Sequence, residues 1–373
     1  MAPARPLTLA GALLLSVVYG SIHAYSVLIA PLETELGASR GALSLGYGLA
    51  IASLTVGVLA APAALRAGPS RAAAGAGMVA GAGLLAASAG HSLEVFLGGY
   101  GLAFGLANGV SYVLFLDRAA HALPQARGLS VGLATAAYGA GAAFAAILLG
   151  RALEEMAVMD VLAWLAFAML AAGILSALAF LGDRSREQAS AVEVAASSGL
   201  SLSQLWLVYF SAAAGGLMVI AHATEIAAAL GLGRDLALMA PVAVAAGNIA
   251  GSLAGGIWAE RLRPWPAIGA AQAIALLATA LLFLPVPAVL AGLLLWGIAY
   301  GALIAVVPVV IRRRGGDRGF ALNFSRVFTA WGAAGLAAPS ATGFLFDAVG
   351  NYDLALAAAG IAALAAALLA ARL

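Results

Sequence analysis

Cysteine is absent from all 373 residues, which excludes disulfides and thiolate metal sites. Lysine is absent too, so all 18 basic residues are arginine. A phosphate-cradling glycine loop needs its lysine, so ATP is not the expected energy source and no cofactor is expected. Charged residues make up only 9% of the chain, against about 25% in an average soluble domain. What is present instead is 64% hydrophobic side chains, with a mean hydropathy of +1.04. No water-soluble core could hide that much apolar surface. The composition therefore excludes a soluble enzyme, a nucleic-acid binder and a secreted disulfide scaffold. It predicts an all-α membrane protein whose first partner is the lipid bilayer.

Each membrane span needs about 20 apolar residues. Breaks at charges, prolines and glycine clusters give twelve: 7–31, 41–64, 72–90, 93–116, 128–150, 160–182, 201–228, 236–258, 265–284, 287–310, 319–341 and 353–371. The apolar start lacks a signal-peptide cleavage pattern and is expected to be the first span. With the N-terminus in the cytoplasm, fourteen arginines fall inside and three outside, with Arg326 within a span. That bias places both termini in the cytoplasm of a bacterial-type inner membrane. The longest polar stretch follows span six, so residues 183–200 are expected to link a six-helix bundle, 1–182, to a second, 201–373.

Motifs recur between the two halves. Leu102-Ala103-Phe104-Gly105 matches Ile298-Ala299-Tyr300-Gly301 at an offset of 196. Tyr138-Gly139 followed by Gly150 matches Trp331-Gly332 followed by Gly343 at 193, and Arg66 matches Arg261 at 195. Three matches in chain order point to a duplicated six-helix unit. In such folds the binding site lies near the bilayer midplane, between the halves. Glycines at 101, 105 and 109, and again at 247, 251 and 255, form columns that let helix backbones approach closely.

Gly256-Ile257-Trp258-Ala259-Glu260-Arg261 is similar to the Gly-x-x-x-Asp-Arg loop of the major facilitator superfamily. The loop after span two keeps Arg66, Gly68 and Arg71 but has Ala61 and Leu65 where that pattern has Gly and Asp. Ala24-Tyr25-Ser26-Val27, Pro31-Leu32-Glu33, Leu123-Pro124-Gln125-Ala126-Arg127-Gly128 and Gly215-Gly216-Leu217-Met218 resemble the oxalate/formate antiporter and monocarboxylate porter group. So do Phe328-Thr329-Ala330-Trp331-Gly332 and the run from Gly343 through Asp347 to Gly350-Asn351-Tyr352. The resemblance spans nearly the whole chain. It implies a major facilitator fold of twelve transmembrane helices and alternating-access transport of small organic anions. Gly256, Glu260, Arg261 and Arg66 would then be conformational-loop residues.

Ionisable groups inside a bilayer are functional hypotheses, because Arg at a helix centre costs at least about 2.5–3.5 kcal/mol. Arg326 lies roughly 10 Å into span eleven at 1.5 Å per residue. It either grips a carboxylate through paired hydrogen bonds or snorkels back to the interface. The resembling group often carries a second cation in span eight, where this chain has only Asn248 as a strongly polar residue. One cation fits a monovalent carboxylate better than a dianion. The resemblance also implies that spans one, four, five, ten and eleven line a central cavity. Tyr25, Tyr112, Tyr138, Tyr300 and Trp331 would cradle the substrate there, with Asn108, Asn248 and Asn323 as added donors.

His222 and Glu225 share a face of span seven, as a proton-accepting pair or as residues near an extracellular end reached by water. Without a third ligand they do not make a metal site. His23 is either a hydrogen-bonded structural residue or a proton carrier. It falls within about a turn of a lysine in the monocarboxylate branch. That branch's acidic–basic pair in span eight is missing here, which argues against obligatory proton symport. Asp117 and Arg118 read as a structural ion pair or a gate contact. The expected protein is thus a monomeric secondary transporter of mono- or short dicarboxylates, with protons or a counter-anion as coupling partner. The runner-up is a proton-coupled exporter of neutral or cationic molecules, with Glu225 or Asp117 as its acid. A third reading is a non-transporting membrane receptor or scaffold.

Overall fold

A computed structural model describes residues 5–181 and 202–372; the expected linker, 183–200, lies outside the described residues. The chain divides into two compact units, Met1–Gln188 and Ala189–Leu373. Among the described residues every regular element is helical. A backbone surrounded by hydrocarbon must bond to itself, and within one segment only a helix achieves this.

Eleven helices among the described residues are long and apolar enough to cross a membrane. The first unit holds Pro6–Leu36, Arg40–Leu65, Pro69–Ala89, Leu93–Ala122, Leu129–Ala152 and Val158–Ala179, spans one to six. The second holds Leu202–Ala221, Arg234–Arg261, Trp265–Leu282, Val286–Arg313 and Asp353–Ala370, spans seven to ten and twelve. Large apolar side chains such as Phe144, Trp164, Phe167, Leu253 and Ile361 are exposed, as lipid-facing surfaces require.

The expected eleventh span, 319–341, is the second arm of a long helical element, Val289–Val349. Its 61 residues would reach about 92 Å if straight. They are not straight. Trp331 Nε1 donates to Tyr300 Oη at 2.6 Å, although 31 residues of uninterrupted helix would hold them about 46 Å apart. The element therefore doubles back, and the midpoint between those two residues falls at Gly315-Gly316. The second arm is more polar than the first, carrying Asn323, Ser325, Arg326 and Thr329.

The glycine columns do what their spacing predicts. A Cβ on Gly109 would lie 2.0 Å from the Leu54 carbonyl oxygen of span two. A Cβ on Gly251 would lie 2.0 Å from the Ile298 carbonyl oxygen of span ten. The repeat shows in these contacts as well. Gly105 packs on Ala50 in the first unit, and its counterpart Gly301 packs on Asn248 in the second.

Two spans depart from regular α-helix, and they meet. Span one is α-helical over Arg5–Tyr19, a tighter 3-10 helix over Gly20–Leu28, and α-helical again over Ile29–Leu36. Runs of 3-10 helix beyond three or four residues are uncommon, and in mid-helix they often mark a hinge. Gly20 starts this run where a Cβ would lie 2.1 Å from the Tyr138 carbonyl oxygen. Span four carries a wider π-helical segment, Leu97–Phe104. Tyr100 from that segment donates to the Ile22 carbonyl of the 3-10 run at 3.4 Å.

Replacing Gly251 by Val should push the facing helices of the second unit apart, at a cost of about 1–3 kcal/mol for overpacking. Its melting temperature in detergent should fall well below wild type. Gly75→Ala, where a Cβ meets nothing within 4 Å, should melt as wild type does.

Candidate functional site

In the first unit the structure gathers five of the sequence-derived candidates, His23, Tyr25, Asn108, Tyr112 and Tyr138, around the irregular stretch of span one. Asn108 is fully buried in span four. Its Nδ2 donates to the Tyr19 carbonyl at 2.8 Å, and its Oδ1 accepts from Tyr138 Oη at 3.1 Å. One amide thus ties spans one, four and five together where the α-helix gives way to 3-10. Tyr25 donates to the Leu43 carbonyl at 2.5 Å, and its ring packs on Tyr47 and Tyr100 at 5.5 and 5.2 Å between centroids. The polar atoms of Asn108 and Tyr25 are therefore engaged by the protein itself.

His23 and Tyr112 differ from these, because both are only half-buried. The His23 Nδ1 lies 2.7 Å from Tyr47 Oη, and its ring meets Tyr138 edge-on at 5.6 Å. Tyr112 in turn meets Tyr138 edge-on at 5.5 Å. Tyr47 was absent from the sequence-derived set. Its signal was present all the same: a tyrosine between two glycines, Gly46 and Gly48, inside a membrane span.

At the end of span four Arg118 is almost fully buried. Its Nε donates to Asp117 Oδ2 at 2.8 Å, and its Nη2 reaches the same oxygen. Asp117 Oδ1 also lies 3.2 Å from the exposed His121 Nδ1. The two candidates thus form one closed ion pair.

In the second unit Tyr300 and Trp331 are joined by the hydrogen bond that closes the helical hairpin. Phe324, Phe328 and Trp331 stack along one arm at 5.4 and 5.2 Å. Gly216 of span seven makes room for the Tyr300 ring, since a Cβ there would lie 2.4 Å from it. Asn248 Oδ1 accepts from Ser252 one turn along its own helix, at 3.3 Å. Asn323 is buried, and its Nδ2 has no hydrogen-bond partner among the described residues.

Arg326 is exposed. It stands five residues before Trp331, about 140° around the helix from it, so the structure does not bring Arg326 onto the Tyr300–Trp331 face. Among the described residues no acidic side chain pairs with it. His222 sits where span seven breaks, with φ −122° between helices Leu202–Ala221 and Ala223–Ala229. Its Nε2 lies 3.1 Å from the Pro339 carbonyl, and its Nδ1 lies 3.3 Å from Tyr352 Oη. A carbonyl can only accept, so Nε2 carries the proton and Nδ1 accepts from the tyrosine. Glu225, one turn on, is 7% exposed. Both residues are buried, rather than lying where water reaches, which was one of the two sequence-level readings.

No protein-family model matches the chain. By sequence it is 27% identical over 352 residues to YhjX of Escherichia coli (strain K12), an uncharacterized transporter of the MFS (major facilitator) type. The match covers 88% of this chain and 85% of that relative. By structure it is similar to the xylose transporter XylE from E. coli, with a TM-score of 0.73 at 16% identity over 98% of this chain and 96% of that one. It is also similar to the nucleoside transporter NupG, with a TM-score of 0.73 at 13% identity over 99% and 97%. The chain has the major facilitator fold. Structural likeness at such low identity carries the fold and not the cargo.

Within the major facilitator fold the loop after span eight acquires a residue that the sequence did not single out. Arg313, closing span ten, donates from Nη1 to the Leu262 carbonyl at 3.1 Å and from Nη2 to the Glu260 carbonyl at 2.6 Å. It caps the last carbonyls of helix Ala240–Arg261, where a cation also offsets the helix dipole. Glu260 and Arg261 themselves are exposed, and Gly256 faces open space. Arg66 is exposed at the end of span two. Changing Arg313 to Gln should loosen the loop after span eight. Amide exchange at Glu260–Leu262 should quicken about tenfold, as for loss of a charge-assisted bond of ~1.5 kcal/mol. Arg261→Gln should leave that exchange unchanged.

Proposed function

We propose that this protein is a membrane transporter of the major facilitator type that carries small organic anions, with monocarboxylates as the best-fitting class. The observation that carries the reading is Arg326. A guanidinium is charged at every physiological pH. This one lies within the arm expected to form span eleven, exposed and without an acidic partner among the described residues. A carboxylate would satisfy it through two parallel hydrogen bonds. The resemblance to the oxalate/formate antiporter and monocarboxylate porter group supports the same class. A single such cation favours a monoanion over a dianion. The half-buried Tyr112 and His23 in the first unit offer ring edges and donors of the kind a small carboxylate uses.

A second reading has one observation in its favour. Glu225 is a carboxylate buried in span seven, as a proton-coupled exporter of neutral or cationic molecules would need. Asp117, the other acid proposed for that role, is already paired with Arg118.

Counterflow in proteoliposomes separates the two. Vesicles are loaded in turn with unlabelled acetate, lactate, pyruvate, formate, oxalate or malonate, and the labelled acid is added outside. Saturable exchange of one of these acids is expected, falling by at least about tenfold in Arg326→Gln, as for loss of a charge-assisted contact. Glu225→Gln should exchange as wild type does. Loss of activity in Glu225→Gln with Arg326→Gln silent would favour the exporter. No exchange of any acid by folded protein would remove the carboxylate reading.

A further inference from the structure

His23 in span one and His222 at the break that ends helix Leu202–Ala221 are held in opposite ways. His222 has no exposed surface and uses both ring nitrogens, one on the Pro339 carbonyl and one on the Tyr352 hydroxyl. Both nitrogens are thus engaged inside the protein, so neither is open to a substrate or to water. His23 is half-buried, and one nitrogen, Nδ1, is bonded to the Tyr47 hydroxyl. Among the described residues Nε2 has no hydrogen-bond partner. A group that loads and unloads a proton during transport needs access and a spare position, and of the two only His23 has both.

We propose that His23 carries the coupling proton, with Tyr47 as its positioning residue, so that an anion enters the first unit's aromatic cluster together with H⁺. The proposal rests on the anion reading above. Imidazole is the side chain whose ordinary charge change falls between about pH 5 and 8. With Nδ1–H donating to the Tyr47 oxygen in both states, the contact survives and the coupling proton binds the open Nε2. Nε2 then presents an N–H to a carboxylate.

The titratable groups packed around this stretch from other spans are Tyr47 of span two, Tyr100 and Tyr112 of span four and Tyr138 of span five. Tyr19 and Tyr25 flank it on span one itself. All are neutral at physiological pH. The ion pairs described in this unit, Glu33–Arg40, Glu35–His91 and Asp117 with Arg118 and His121, do not include His23. The charge of this cluster is therefore set by His23. An anion beside Nε2 favours the imidazolium, and the imidazolium favours the anion by the same factor. That reciprocity is the coupling. The only covalent change is at His23, where an N–H bond forms as a proton is taken from water on one face and breaks as it is returned to water on the other, together with one carboxylate.

The location in span one adds a conformational element. His23 lies in the 3-10 run, Gly20–Leu28, at the point where Gly20 brings the backbone against span five. A change in that run moves His23 against Tyr138 and Tyr47.

The test uses the full chain in proteoliposomes and whichever acid the wild type exchanges in counterflow. Wild type should accumulate that acid when a pH gradient is imposed. His23→Gln keeps a donor but cannot take a proton. It should show reduced but measurable counterflow and no gradient-driven accumulation. Accumulation by His23→Gln equal to wild type would overturn the proposal and leave the anion reading standing. If wild type exchanges none of the acids, the anion reading fails, and this inference with it. Should His23→Gln not fold, Tyr47→Phe decides, since it removes one hydroxyl and almost no volume. A displaced pH profile of uptake supports the proposal, and an unmoved profile overturns it.

Discussion

A backbone in hydrocarbon has only the protein to bond with, and the rest of this structure follows from that constraint. Regular helix meets it locally. Where span one departs from regularity, polar side chains from span four attend carbonyls near the break. Asn108 attends Tyr19 and Tyr100 attends Ile22 beside the 3-10 run of span one. His222, at the break in span seven, reaches the Pro339 carbonyl of the long hairpin. Ser16 and Ser176 do the same work between regular helices, donating to the carbonyls of Ala134 and Gly11 at 2.5 and 2.9 Å. Ser16, Asn108, Ser176 and His222 thus act as glue between helices, as expected where lipid offers no hydrophobic drive for association, whereas Ser44, Thr55, Thr279, Ser340 and Thr342 bond back one turn along their own helices.

Subtracting that glue is what isolates the functional candidates. Asn108, Tyr25 and His222 drop back into structure because their polar atoms are bonded internally. Arg118 drops back because Asp117 neutralises it. What remains is the exposed Arg326, the half-buried His23 and Tyr112, the buried Asn323 amide and the buried Glu225 of the second reading. The glycine columns act beside this list rather than on it. They let backbones touch at Gly109 and Gly251, so the helices that carry these residues are held by contacts a methyl group would break.

The same accounting explains why the likeness to XylE and NupG informs the fold and little else. Helix length, glycine seams and the repeat of six-helix units are demands of the membrane, and transporters of different cargo meet them alike. Cargo depends on a few polar atoms left unbonded, which a fold does not prescribe.

Much of this was legible in the sequence, for a physical reason. Span positions, the all-helical class and the close-packed glycine columns follow from one-dimensional patterns, because burial in lipid acts on every residue of a span at once. The grouping of His23, Tyr112 and Tyr138 was also within reach. Other features were decided only in three dimensions. The break of span one into 3-10 helix, the Tyr47 partner of His23, the Arg313 cap and the closed state of His222 depend on which atoms meet across helices. Arg326 shows the limit most plainly. Its depth could be counted from the sequence, but whether it shared a face with Trp331 depended on helical register. The sequence by itself determined which residues must lie in the membrane; only tertiary contact decided which of their polar atoms were left over, because hydrogen bonds between helices join residues that no local pattern links.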